Sequence, residues 1–329
     1  MTTGPTSEWH GHARACANIA LAKYWGKADS ELNLPAVPSV SVTLDALVTE
    51  TSVTFAPGAG ADTLVLDGRD ATLDETRRVT VVLDRIRSIA GCTRPARVES
   101  VNRFPTASGL ASSASGFAAL VAAANRALRL DLSDTKLSAL ARRGSASAAR
   151  SVFGGFVELP AGLPGDDSLA AHAFAGSDWW DVAMVIATVT NVRKTISSRA
   201  GMNATTRTSP YYPAWLATAP RWAFEVREGV RARDLERVGR AVESSTFAFH
   251  ACALAAEPSV RYATGSTLTL LAAVNELRAS GTGAWATMDA GPHVKVLCAA
   301  DDSEKVVAAL VSTGVTTQVI VARPGSGVT

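Results

Sequence analysis

The sequence predicts an α+β fold in two blocks, and three observations carry that expectation. Its 329 residues exceed what one small core organises and suit two domains of roughly 100–200 residues each. Hydrophobic residues make up 47% and charged residues 19%, the balance of a chain that buries a core. Alternating apolar runs and runs of helical period are interleaved before and after Asp181, with no internal repeat. Domains are therefore expected over residues 1–181 and 182–329.

In the first block, residues 39–44, 48–55 and 63–66 read as strands. Asp67-Gly68 follows, a pair tolerant of the positive φ that a tight hairpin needs. Asp74 opens a helix in which Val79, Val82, Leu83, Ile86 and Ile89 recur at helical spacing, and Gly91 ends it. Residues 96–101 read as a strand and 118–128 as a helix by propensity. Ser133 caps a helix through Leu140, and Gly154-Gly155 interrupts the pattern. Residues 162–176 read as loop. In the second block, 182–189 is a strand of the buried type, and 222–243 and 266–279 are helices. Strands over 281–288 and 294–298 flank Asp289-Ala290-Gly291-Pro292; a helix over 304–312 and a strand over 316–321 close the block.

Composition excludes several classes. A net charge of +2 gives no global basic field for nucleic acid or a membrane surface. The four cysteines lie far apart and lack zinc-ligand spacing, as free thiols of a reducing compartment do. No apolar stretch reaches the ~20 residues of a membrane span, and the polar N-terminus lacks a signal-peptide core. These features point to a cytoplasmic, soluble protein, whose local basic clusters could still serve an anionic small molecule.

Residues 104–115 are rich in Gly, Ser and Ala and run straight into a helix. Small residues let a backbone approach a ligand, hydroxyls donate, and the helix N-terminus attracts an anion. The same residues also suit a helix start packed tightly on a sheet. A Walker A motif is absent. Lys23 and Lys27, four apart around Tyr24, offer two point charges and a hydroxyl to a phosphorylated ligand; a solvated lysine pair beside a core aromatic would look alike. Ser145, Ser147 and Arg150 could form a fork for an anion, or Arg150 could cap a helix end. Asp289, an acid between two apolar strands, is costly to bury without partners and useful at a strand end facing a basic cleft, though it also suits an Asx-type turn.

The chain resembles the diphosphomevalonate decarboxylase family of the GHMP kinase superfamily. The resemblance rests on Asn18-Ile19-Ala20 through Lys23-Tyr24-Trp25-Gly26-Lys27, on Phe104-Pro105 through Gly109-Leu110-Ala111-Ser112-Ser113-Ala114, and on Arg143-Gly144-Ser145 through Arg150-Ser151 with Gly154-Gly155-Phe156. Lys194 through Met202, Thr208 through Tyr212, Phe249-His250-Ala251 and Asp289-Ala290-Gly291-Pro292 extend it over most of the chain. It implies the GHMP kinase fold: an N-terminal ribosomal protein S5 domain 2-like domain and a C-terminal ferredoxin-like domain, with the site between them. It also implies ATP-dependent decarboxylation of mevalonate 5-diphosphate, with ATP and Mg²⁺ as cofactors and a homodimer as the assembly. Carried over residue by residue, Asp289 and Arg150 are catalytic, the latter on the leaving carboxylate. Lys23, Tyr24, Lys27, Ser145, Ser147 and Arg199 bind substrate, and Gly109, Ser112 and Ser113 bind ATP; the metal ligands stay open. Arg199 could equally be a surface arginine, and His250 is given no catalytic role. Three positions depart from the pattern: Val37 stands where the family often has Asn, His293 follows the DAGP segment in place of Asn, and Ala149 replaces a Cys. Rival readings are a decarboxylase of mevalonate 5-phosphate, a kinase that stops after phosphorylating the tertiary hydroxyl, and an inactive nucleotide-binding protein.

Overall fold

The structure, a computed structural model, describes residues 8–58, 60–104, 112–190 and 196–329. Its spine is a 17-residue strand. The first block contains β1 (Trp9–Ala22), β2 (Lys27–Asp29), β3 (Leu34–Pro35), β4 (Ser39–Phe55), β5 (Thr63–Leu66), β6 (Arg69–Asp70), α1 (Leu73–Ala90), β7 (Ala96–Asn102), α2 (Ser112–Leu128), α3 (Asp134–Gly144), α4 (Ala148–Ser151), β8 (Phe156–Leu159) and β9 (His172–Ala175). The second contains β10 (Val182–Thr188), α5 (Ser198–Thr208), α6 (Tyr212–Ala232), α7 (Leu235–Leu254), α8 (Gly265–Ala279), β11 (Ala284–Met288), β12 (Val294–Ala299), α9 (Ser303–Ser312) and β13 (Gln318–Ala322).

β1 pairs antiparallel along one edge of β4, while β7 and β8 share the other edge. The two strands expected over 39–44 and 48–55 are therefore one. The interruption read between them is a bulge: β1 advances from Cys16 to Asn18 while β4 runs from Val48 to Thr43. The chain's last residues fill that kink, with Arg323 and Gly325 hydrogen-bonded to Asp45 and Thr43. The hairpin at Asp67-Gly68 forms as expected, with φ of 50° and 78° at the two turn residues. α1 ends at Gly91 as expected but starts from a capping box of Thr72 and Glu75, ahead of Asp74. Ser133 caps α3, which runs on to Gly144.

Other differences have local causes. The single helix expected over 222–243 is two. Arg233 adopts φ 56° and closes α6, and the Asp234 carboxylate accepts the Arg237 N–H to start α7. β1, β2, β3, α4, β8, β9 and α5 were not anticipated; β9 lies inside the stretch read as loop, paired with β8.

α2 lies so close on β1 that a Cβ at Gly11 would collide with the Ala123 carbonyl, which explains the alanine run of that helix. In the second block, β11-β12-β10-β13 form an antiparallel sheet. One face packs on α8 and α9 through Val294, Val296, Cys298 and Leu270. The other joins α6, α7, β1 and β4 in one core containing Ile19, Val42, Met184, Ile186, Val242 and Leu297. That shared core brings the ends of β1 and β11 together.

Candidate active site

Asp289 follows β11 directly. Lys23 Nζ, just past the end of β1, donates to its Oδ1 at 2.8 Å, and Lys295 Nζ, from β12, donates to its Oδ2 at 2.9 Å. The lysine side chains are 3% and 1% exposed, whereas Asp289 keeps 27%. The carboxylate is thus gripped on both oxygens and open on one side. Burial alone would raise its pKa, but the two ammonium charges outweigh burial and hold the carboxyl well below the usual carboxylate range. Burial lowers Lys23 to about 8, opposed by Asp289 and reinforced by Lys295 and Arg150. The Lys23 backbone N–H donates to Ser245 Oγ of α7, which fixes the chain at the lysine.

Arg150 is 2% exposed. Its Nη1 donates to Ser39 Oγ at 2.7 Å and its Nε to Ser41 Oγ at 3.0 Å and Asn18 Oδ1 at 3.3 Å. Asn18 in turn donates to the Ser147 carbonyl and Ser151 Oγ, tying α4 to β1. These are all neutral oxygens, and among the described residues no carboxylate forms an ion pair with the guanidinium. Burial brings Arg150 down to about 10, with Asp289 and Tyr24 supporting the charge, so it remains a cation at neutral pH.

A second positive group surrounds Lys27. Burial, with Arg199 and Arg78 nearby, lowers its ammonium to about 8. Its Nζ donates to Asn33 Oδ1 at 2.5 Å, and Asn33 donates to the Arg143 carbonyl. Arg78 of α1 lies 5.3 Å over the Phe117 ring and donates to the Gly144 carbonyl. Ser145 and Ser147 hydroxyls are hydrogen-bonded at 3.0 Å. Burial pushes the Tyr24 phenol up, so it stays a donor. Between the two lysines Gly26 has φ 97°, and a Cβ there would strike the Tyr212 hydroxyl; the motif's glycine thus lets α6 close on the loop. Arg199 is exposed on the first turn of α5.

Charge interactions therefore link Lys23, Tyr24, Arg150 and Asp289 in one group, with Arg199 within electrostatic reach of Lys27 and Tyr24, and Asn18 joins Arg150 to the Ser147 carbonyl beside the Ser145–Ser147 hydroxyl pair. Ser112 and Ser113 begin α2, whose first turn carries no acid to repel a phosphate. Gly109, with the rest of 105–111, lies outside the described residues, as do Lys194 and Thr195. Lys295, Arg78, Ser39 and Ser41 were not singled out beforehand. Lys295 had a signal, one charge in an otherwise apolar strand; Ser39 and Ser41 alternate with buried valines. Arg78 had none, being one polar position of an amphipathic helix. Of the departures, Val37 is fully buried in a cluster with Trp25 and Tyr212, Ala149 is buried, and the buried His293 accepts the Val189 N–H at 3.2 Å. His250, held at about 3 by burial and by Lys23, is neutral.

The diphosphomevalonate decarboxylase-like N-terminal domain family matches residues 15–170, and the mevalonate 5-diphosphate decarboxylase C-terminal domain family matches residues 184–322. The diphosphomevalonate decarboxylase of Saccharomyces cerevisiae is 34% identical over 314 residues, 89% of this chain and 79% of its own. The Homo sapiens protein is 35% identical over 318 residues, 90% of this chain and 78% of its own. The chain belongs to the diphosphomevalonate decarboxylase family. Solved family structures agree in fold. Mevalonate diphosphate decarboxylase from Staphylococcus aureus superposes with a TM-score of 0.93 at 37% identity, covering 98% of both chains. MDDEF in complex with MVAPP, the ATP analogue AMPPCP and magnesium gives 0.92 at 40% identity, covering 98% of this chain and 99% of that one. The mixed α and β fold and the family resemblance read from the sequence are both borne out.

Proposed function

We propose that this chain converts mevalonate 5-diphosphate and ATP into isopentenyl diphosphate, carbon dioxide, ADP and phosphate. Family membership supports the reaction. The observation that carries it into this site is the pairing of a doubly gripped carboxylate with a buried arginine that, among the described residues, forms no ion pair with a carboxylate. A kinase needs the first; a decarboxylase also needs somewhere to hold a carboxylate.

Lys27, Tyr24, Ser145 and Ser147, with Arg199, take the substrate diphosphate. The tertiary hydroxyl lies at Asp289, which accepts or orients its proton as the oxygen bonds to phosphorus. The serines opening α2 receive the nucleotide phosphates at a helix N-terminus. Among the described residues no cluster of three or more His, Cys, Asp or Glu could hold a metal. The donor set therefore suits Mg²⁺ carried by nucleotide phosphates, its usual mode, where it neutralises charge. Phosphate departure leaves positive character on the tertiary carbon; the C–C electron pair released with carbon dioxide forms the alkene. Arg150 holds the carboxylate for that step, mainly a positioning effect.

Among the described residues no helix is long and apolar enough to cross a membrane. A cytoplasmic location and a homodimer belong to the same reading. The test is to assay ADP and carbon dioxide separately with mevalonate 5-diphosphate. Equimolar release of both is expected. ADP without carbon dioxide would make this a kinase, and neither product would make it an inactive binder.

A further inference from the structure

β12 presents a contradiction. Val294, Val296 and Cys298 point to one side and pack against α8 and α9. Lys295 and Leu297 point to the other, where Leu297 belongs to the core shared with β1, β4 and α7. Opposite Lys295 lie Ile186 of β10 and Thr287 of β11, and the Thr287 hydroxyl bonds to Thr246 of α7 and the Ala20 carbonyl of β1. The place calls for an apolar side chain. A buried ammonium is costly there unless it is paired, and a hydrophobic residue of similar length would pack as well. The carboxylate Oδ2 of Asp289, 2.9 Å away, is the partner.

We infer that Lys295 is a positioning residue for the phosphoryl-transfer step, anchoring Asp289 by Oδ2 so that Oδ1 and Lys23 face the substrate hydroxyl. The two lysines divide the work by origin. Lys23 stands on the loop after β1 beside the substrate groups, with Arg150 close enough to repel it. Lys295 stands within a central strand, 1% exposed. A carboxylate with a single lysine could rotate about its Cβ–Cγ bond; one gripped on both oxygens from two elements cannot. Among the described residues, the charged and titratable groups facing it are Lys23 after β1, Lys295 on β12, Arg150 on α4 and His250 on α7.

The inference rests on the proposed role of Asp289, so the test separates the two. Lys295→Met keeps the stem and removes charge and donor; Lys295→Gln keeps a donor without charge; Asp289→Asn is the reference. For Lys295→Met, kcat is expected to fall on the order of 10²-fold, with the KM for ATP within a few-fold. The range of pH over which kcat/KM is maximal should move up: Asp289 loses an opposing charge that favours its ionised form, and Lys23 loses a repelling neighbour. Lys295→Gln should recover part of kcat while the displaced pH profile stays. Unchanged kcat in Lys295→Met, or a fall with an unmoved pH profile, overturns the inference, as does failure of both Lys295 variants to fold. If Asp289→Asn is inactive and Lys295→Met is normal, only the role of Lys295 fails. If Asp289→Asn turns over normally, the reading of Asp289 itself falls.

Discussion

Two charged centres lie within reach of one another, and they solve the burial of charge in opposite ways. Asp289, from the second block, is compensated by two full charges. Arg150, from the first, is held by serine and asparagine oxygens that take its Nε–H and an Nη1–H without cancelling its charge. A group that must hold its position through a reaction is served by ion pairs. A group that must receive an anion is served by neutral acceptors, because its charge stays available. The comparison predicts that substitutions at Asp289 disturb chemistry, whereas those at Arg150 disturb the placing of the substrate.

The sharpest break is Asp289→Asn. Turnover should fall roughly 10³-fold, within the range for losing a proton-handling group, while nucleotide binding measured by titration is retained. Near-normal turnover in a folded variant would remove Asp289 from the chemistry. Arg150→Gln comes next: carbon dioxide release should fall on the order of 10²-fold through lost positioning, with ATP affinity nearly unchanged. Collapse of ATP binding with substrate binding intact would move Arg150 to the nucleotide.

Replacing the diphosphate by a monophosphate tests the Lys27 side of the cleft. Losing one or two charge-assisted hydrogen bonds, at ~1.5–3 kcal/mol each, should lower kcat/KM roughly tenfold or more. Equal values for the two substrates would contradict the diphosphate assignment. Raising pH probes the same group more gently. Lys23 and Lys27, both lowered to about 8, are cations below that pH and lose charge above it. Attraction for a polyanion is therefore present at neutral pH, and kcat/KM should decline above about pH 8, seen as a basic limb that Lys27→Met weakens. The smallest effect is expected at the neutral cage: Ser39→Ala removes one hydrogen bond to Arg150 and should lower kcat/KM up to about tenfold.

Much of this was legible in the sequence because it is local. The Asp67-Gly68 hairpin, the Gly91 stop and the Ser133 cap depend on residues a few positions apart, and their chemistry was readable. Lys23, Tyr24, Lys27, Arg150 and Asp289 sit in short motifs, so their identities were readable too. Where the reading failed, long-range packing decided. β4 continues through 44–47 because residues 323–325, nearly three hundred positions away, fill its bulge. α6 and α7 separate at Arg233, where no glycine or proline marks the break. Lys295 went unremarked in its apolar strand, because only the pairing of β11 with β12 sets it against Asp289.

The sequence by itself determined which side chains carry charge, which turns the backbone can take and which family the chain belongs to. Tertiary structure alone decided that Asp289 is braced by a lysine 266 positions away and another six away, and that among the described residues Arg150 hydrogen-bonds to neutral oxygens. The reason is physical: a residue's titratable group is fixed by its type, but its partners and its exposure to water are fixed by what the fold brings against it, and these set its ionisation and its use.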